Sequence, residues 1–440
     1  MIPKLITVGT RMQLRYYPTD TFKAGTLSLS VVLPIDPKDT PLTSLLLSVL
    51  LRGTKSYPTV SALNRRLDFL FGTELSIRNF YRGDCQVIGL CADMLEANYL
   101  PQGMQAHDLL EGTLEVMREI LFCPLTDENG MLSAEYVESE KRLQCDTIRA
   151  QKNNPHAYAA DRCRALMFEG EPCSVPLYGK EEEIMAVTPE QLSQHWRKLL
   201  ASLSLHFFYI GTAEQETLVQ TLHKTFAPEL DRVVKSCAQV LSVSRHARPE
   251  TVKQTCESMP VNQGHLNIGL HTGIVLTDHD FYACVLFNEL LGASPVSKLF
   301  MNVRERLSLC YSCNSIYNAF KGTVLISCGL ENENREKAET EIFAQIRAIA
   351  EGNFDDAEWL AAKKSLENAY RQLEDSPTAL ESYYFGRSLA GIKDSTEECR
   401  EHIRAVTRED VIRVAKNVQI DTVFFLLQTG NGEETDDEED

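Results

Sequence analysis

The sequence predicts an α+β protein made of two similar α/β-sandwich domains, each an antiparallel-rich sheet packed with helices. Two observations carry the prediction. In the first half a strand, an apolar helix, a hairpin, two long helices, a capped helix and a closing strand follow one another, and the second half repeats that order. Between the halves, residues 228–258 form a polar stretch with few periodic signals, as a linker would. The expected domains are therefore 1–227 and 259–430, with a solvated acidic tail at 431–440.

In order, GTLSLSVVLP (25–34) alternates and is rich in Val and Leu, so it reads as a strand. Thr40 to Thr54, TPLTSLLLSVLLRGT, places Leu42, Leu45, Leu46, Val49 and Leu50 at helical spacing. Thr40 is positioned to cap this short buried helix, Pro41 suits its first turn, and Gly53 ends it. Val60 to Phe71 forms a second helix stopped by Gly72. Leu75–Phe80 and Gln86–Cys91 make a hairpin around Arg82-Gly83-Asp84. Helices of about 104–122 and 134–151 come next, the latter ending before Asn153-Asn154-Pro155. Ala157 to Phe168 is helical, Thr188-Pro189-Glu190-Gln191 is a capping box that opens a helix to Leu200, and Leu203–Ile210 closes the half as a strand.

In the second half, His265–Leu270 is a strand and Asp278–Leu291 a helix ended by Gly292. Tyr311–Tyr317 and Thr323–Cys328 pair around a Lys321-Gly322 turn. Helices of about 333–351 and 355–374 match 104–122 and 134–151, and a helix capped by Thr407 leads into the closing strand Thr422–Gln428.

The composition, 43% hydrophobic and 24% charged over 440 residues, is that of a soluble globular protein. No signal-peptide h-region is present, and the longest apolar runs reach about half of a membrane span, so no membrane partner is expected. Thirteen cysteines, scattered singly, read as buried small hydrophobes in a reducing, cytoplasmic setting. Cys310 and Cys313 form a CxxC without a second CxxC or a nearby His, and core packing is the expectation for them. His265 and His271 share a strand face, where surface or satisfied-core histidines are commoner than ligands. The formal charge of −18 argues against nucleic acid and leaves room for basic peptides.

Several motifs in order resemble the insulinase/pitrilysin zinc-peptidase superfamily, from about residue 20 to 430. They are the Thr40–Thr54 helix with Tyr57-Pro58, Leu67–Gly72, Glu138–Ile148 with Asn154-Pro155, and Pro176-Leu177-Tyr178-Gly179. The most specific is Asn288–Ser312, NELLGASPVSKLFMNVRERLSLCYS, in which an arginine precedes a tyrosine by seven residues. Catalytic members of that superfamily carry H-x-x-E-H on the first helix, two imidazoles for Zn²⁺ and a glutamate base, with a later glutamate as third ligand. Laid onto this chain, those positions fall on Ser44, Leu47, Ser48 and Thr147, beside Asp146; none matches. The resemblance thus implies a metal-less member with no catalytic residues and no cofactor.

In active members an arginine and a tyrosine of the second domain reach the substrate backbone, and the resemblance sets these against Arg304 and Tyr311. It implies a chain that is no enzyme on its own. Such a chain binds peptide and pairs with a zinc-bearing paralogue, or with itself, around a peptidase chamber. Overall similarity, with LFGTEL and LLGASPVSKLF, is closest to bacterial two-gene pairs associated with 5-aminopentanol modification of elongation factor P. The alternative is a scaffold with no part in peptide processing.

Overall fold

Both halves of the chain build the same sheet. The computed structural model describes residues 1–101, 106–230 and 243–430 and separates into two compact units. In the first unit β1 (Lys4–Gly9), β2 (Met12–Pro18), β3 (Ala24–Pro34), β4 (Glu74–Arg82), β5 (Cys85–Leu95) and β6 (Leu205–Gly211) lie in the order β1-β2-β6-β3-β5-β4. In the second, β7 (Lys253–Pro260), β8 (Gly264–His271), β9 (Ser312–Asn318), β10 (Thr323–Leu330) and β11 (Gln419–Thr429) lie in the order β7-β11-β8-β10-β9. With β1 set aside the two permutations are identical. They agree even in pairing direction, because β2 with β6 and β7 with β11 are parallel while the other pairs are antiparallel.

The central strands are apolar on both faces because both faces are covered. Along β6, Phe207 and Tyr209 enter the main core with Leu45, Leu50, Met117, Leu192 and Phe226. Phe208 and Ile210 point the opposite way, onto Leu380, Tyr384 and Phe385 of the helix Pro377–Leu389. The same period of two recurs in β11: Val423 and Phe425 face one core, and Phe424 and Leu426 face Ala159, Ala160 and Cys163 of the helix Pro155–Met167.

Those two covering helices correct the expected contiguous division at 228–258. The first unit comprises Met1–Arg149, Val175–Ser242 and Leu373–Ser395; the second comprises Ala150–Ser174, Val243–Gln372 and Thr396–Asp440. Each sequence half therefore gives one helix to the unit built mainly by the other half. The donated helices match: each follows a 17-residue helix, spans 13 residues and begins with proline behind a polar cap. Asn154 Oδ1 accepts from the Ala157 N–H at 3.2 Å, and Ser376 Oγ from the Ala379 N–H at 3.3 Å. Residues 253–258 of the expected linker belong to β7; residues 231–242 and the acidic tail 431–440 lie outside the described residues.

In the first unit, a buried ion pair ties the donated helix to the sheet. Glu381, with no exposed surface, receives both terminal nitrogens of Arg78 from β4 and the Ser28 hydroxyl from β3 at 2.6 Å. All carboxylate oxygens are thus paired by groups that are themselves enclosed.

Candidate functional site

The helix Asp39–Leu50 starts two residues earlier than its sequence suggests, and Thr40 is not its cap. Asp36 does that work: its carboxylate accepts from the N–H groups of Lys38 (2.8 Å) and Asp39 (3.0 Å), and its own N–H donates to Thr40 Oγ1. Those backbone bonds hold the Asp36 carboxyl below its usual range.

Within this helix Ser44 is a fully engaged hub. Its hydroxyl donates to the Leu177 carbonyl at 2.7 Å, with the i−4 carbonyl of Thr40 at 3.2 Å, and it accepts from Asn79 Nδ2 at 2.9 Å. Asn79 in turn accepts from Gln86 Nε2 at 2.9 Å. Leu47 is part of the apolar core, Ser48 is half-buried, and Thr147 is exposed, its hydroxyl returned to the Leu143 carbonyl. Gln144, one turn before Thr147, donates to the Tyr178 carbonyl at 2.8 Å. The segment Pro176-Leu177-Tyr178-Gly179 is therefore laced to both helices through its carbonyls. Gly179 adopts φ +74, and a Cβ there would meet Pro41 Cβ at 2.7 Å, so only glycine permits this approach. Neither imidazole nor carboxylate stands at Ser44, Leu47, Ser48 or Thr147, and the Ser44 oxygen is already committed. These residues do not fit a zinc ion or a general base.

The second unit places Arg304 and Tyr311 in the wall of one cavity of about 410 Å³, with Glu305, Cys310 and Glu331. Arg304 lies on a π-helical stretch, Leu299–Arg306, with its guanidinium over the Phe300 ring at 4.6 Å and a loose pairing to Glu305 at 3.6 Å. The chain then turns through Ser308 at φ +50, which delivers Tyr311 just ahead of β9. Tyr311 is 58% exposed rather than packed in the sheet. Its hydroxyl donates to Glu331 Oε1 at 2.5 Å, and that bond raises the phenol above its ordinary pKa.

Cys310, in the same wall, has neighbours that the CxxC spacing does not disclose. Cys313 on β9 pairs directly opposite Cys328 on β10, and the three sulfurs of Cys310, Cys313 and Cys328 lie within 4.8 Å of one another. Bonds from Cys313 and Cys328 push the Cys310 thiol below its ordinary value, with Arg304 contributing, while the same sharing raises the other two. A signal for Cys328 exists in the sequence: Cys313 and Cys328 stand nearly symmetrically about the Lys321-Gly322 turn, where Gly322 has φ +69.

His265 and His271 occupy opposite ends of β8, about 20 Å apart at roughly 3.4 Å per residue, and cannot share an ion. His265 stacks edge-on to His156, and His271 meets the His246 carbonyl at 3.2 Å. His246 is the charged member of this group. It is buried between Glu171 and Asp421 (3.0 Å), and Glu171 also receives Lys321 at 2.5 Å. Burial alone would lower the His246 pKa, but the bonds from Asp421 and Glu171 outweigh it and raise the value to about 9. A folded pKa above the unfolded value of about 6.5 makes this contribution complete below that pH and lost as pH rises through 9. Denaturant titrations at about pH 6 and about pH 10 should show the loss at the higher pH, and His246→Gln should flatten the difference.

Residues 186–366 match the family model for the peptidase M16 inactive domain. Over 412 residues the chain is 29% identical to YmfF of Bacillus subtilis strain 168, a probable inactive metalloprotease, covering 93% of this chain and 94% of that one. Its fold is similar to a conserved protein from Enterococcus faecalis V583, with a TM-score of 0.89 at 22% identity, covering 98% and 100% of the two chains. It is also similar to a peptidase M16 inactive domain from Pseudomonas fluorescens, with a TM-score of 0.78 at 16% identity, covering 98% and 99%. The two structures speak to fold, a mixed α/β architecture with two sheets. The family model and the B. subtilis relative support a degenerate homologue of the insulinase-type peptidases. Among the described residues no helix is long and apolar enough to cross a membrane.

Proposed function

We propose that this chain is a non-catalytic peptidase-like subunit that holds peptide through Arg304 and Tyr311. It pairs with a zinc-bearing paralogue, or failing that with itself, to enclose a processing chamber. The observation that carries the proposal is the cavity of the second unit, where a loosely paired guanidinium and an exposed phenol share one wall. Both are donors of the kind that stabilise a carbonyl as it gains charge. The helix Asp39–Leu50 supplies the complementary half of the argument, since its hydroxyl hub and buried Leu47 can neither bind zinc nor activate water. A net charge of −18 would draw basic peptides toward the chamber. The reading extends to the pairs associated with 5-aminopentanol modification of elongation factor P, on the strength of LFGTEL and LLGASPVSKLF.

One observation favours the scaffold reading instead: the Tyr311 hydroxyl is already bound to Glu331 and would have to exchange that partner for a substrate. Co-expression with a paralogue bearing His-x-x-Glu-His separates the two. A stable complex is expected, active only as the pair. Arg304→Ala and Tyr311→Phe should each lower its kcat/KM by about a hundredfold, the usual cost of one such donor. Undiminished activity in both variants would establish the scaffold, and absence of a complex would remove the pairing.

A further inference from the structure

One wall residue of the same cavity, Cys310, belongs to a cluster of three sulfurs whose arrangement goes beyond any grip on peptide. Cys313 and Cys328 face each other across the β9–β10 ladder, so their side chains leave the sheet on one face. Both are closed into the core, at 4% and 1% exposure, whereas half-buried Cys310 opens to the cavity and gives the cluster access to solvent. The three Sγ atoms lie within 4.8 Å of one another. A metal–sulfur distance of about 2.3 Å in tetrahedral geometry needs sulfurs about 3.8 Å apart, so each has less than about 1 Å to close. Such convergence from a strand, its neighbour and the turn before them is more than packing of small apolar side chains requires.

We propose that Cys310, Cys313 and Cys328 form a three-thiolate site for one divalent thiophilic ion of the zinc class. Three thiolates and a divalent ion leave one net negative charge, in a wall where the Arg304 guanidinium already faces Glu305 and where Glu331 adds a further carboxylate. A monovalent copper ion would leave two negative charges beside those carboxylates, so the acidic surroundings favour the divalent ion. Three protein ligands leave the fourth tetrahedral position open toward the cavity, where water, a carboxylate or a thiol could complete the shell.

The test needs neither peptide nor partner, so its outcome is separable from that of the proposed function. The reduced full-length chain, stripped with a chelator, is titrated with Cd²⁺ while the ultraviolet thiolate-to-metal charge-transfer band is followed; Zn²⁺ then competes. One equivalent of Cd²⁺ is expected, displaced by Zn²⁺, with the band lost in Cys328→Ala and Cys310→Ser and kept in Cys256→Ser, an exposed thiol on β7. Circular dichroism checks that the variants fold. If either core variant does not, the rise in Tm of the unaltered chain on adding Zn²⁺, absent after alkylation of Cys310, is the second readout. No band, a band that survives Cys328→Ala, a Cys310–Cys313 disulfide under reductant, or binding of Cu⁺ without Cd²⁺ or Zn²⁺ would each overturn the assignment.

Discussion

Glu381→Ala should destabilise the first unit by about 3–5 kcal/mol, read as a shifted midpoint in urea unfolding followed by circular dichroism. The size follows from what remains. Arg78, 8% exposed, would keep its charge in an enclosed site with no carboxylate, and the Ser28 hydroxyl would lose its acceptor. Removing one partner of a buried pair costs far more than the pair contributes. Arg78→Met combined with Glu381→Leu should therefore recover most of the loss by filling the space with apolar atoms. A change below about 1 kcal/mol for Glu381→Ala would mean that water reaches the carboxylate and that the pair is not sealed.

A chain cut after residue 258 should fail to give a soluble folded monomer, although it contains the whole of the expected first domain. Without Pro377–Leu389, the sheet face carrying Val87, Phe208 and Ile210 has no cover. Each such side chain forfeits about 1.5–3 kcal/mol on exposure, and together they form an aggregation-prone patch. Co-expression of the remaining chain should restore solubility, measured by size-exclusion chromatography of the pair. A monodisperse, cooperatively unfolding 1–258 fragment would show that the donated helix is dispensable.

The same helix shows why parts of the fold were hard to read. Its buried face includes Glu381 and Arg387, so a search for apolar residues at helical spacing passes over it. In β2, Met12, Leu14 and Tyr16 alternate with Gln13 and Arg15, but Arg15 is buried on the face that the alternation would leave to solvent. Strand β7, KQTCESMP, alternates only between half-buried and exposed and presents no apolar face. Where a strand is covered on both sides, as in LSLHFFYI, or a helix carries an intact apolar stripe, as in Asp39–Leu50, pattern and structure agree. The site divides similarly. That Ser44, Leu47, Ser48 and Thr147 cannot be zinc ligands is a matter of residue identity. That Ser44 is a hub depends on Asn79 and the Leu177 carbonyl, 35 and 133 residues away, and Cys328 joins the CxxC only through strand pairing.

The strand order also dictates a timetable. In each sheet the strand made last lies between two made early: β6 between β2 and β3, β11 between β7 and β8. The second sheet stays open until Gln419–Thr429 has left the ribosome, and the first, though its strands are complete by Gly211, waits for residues 377–389 to cover it. Nearly the whole polypeptide must therefore be synthesised before either unit is finished, and from the completion of Gly211 to that of Leu389 the nascent chain keeps Phe208 and Ile210 within reach of chaperones.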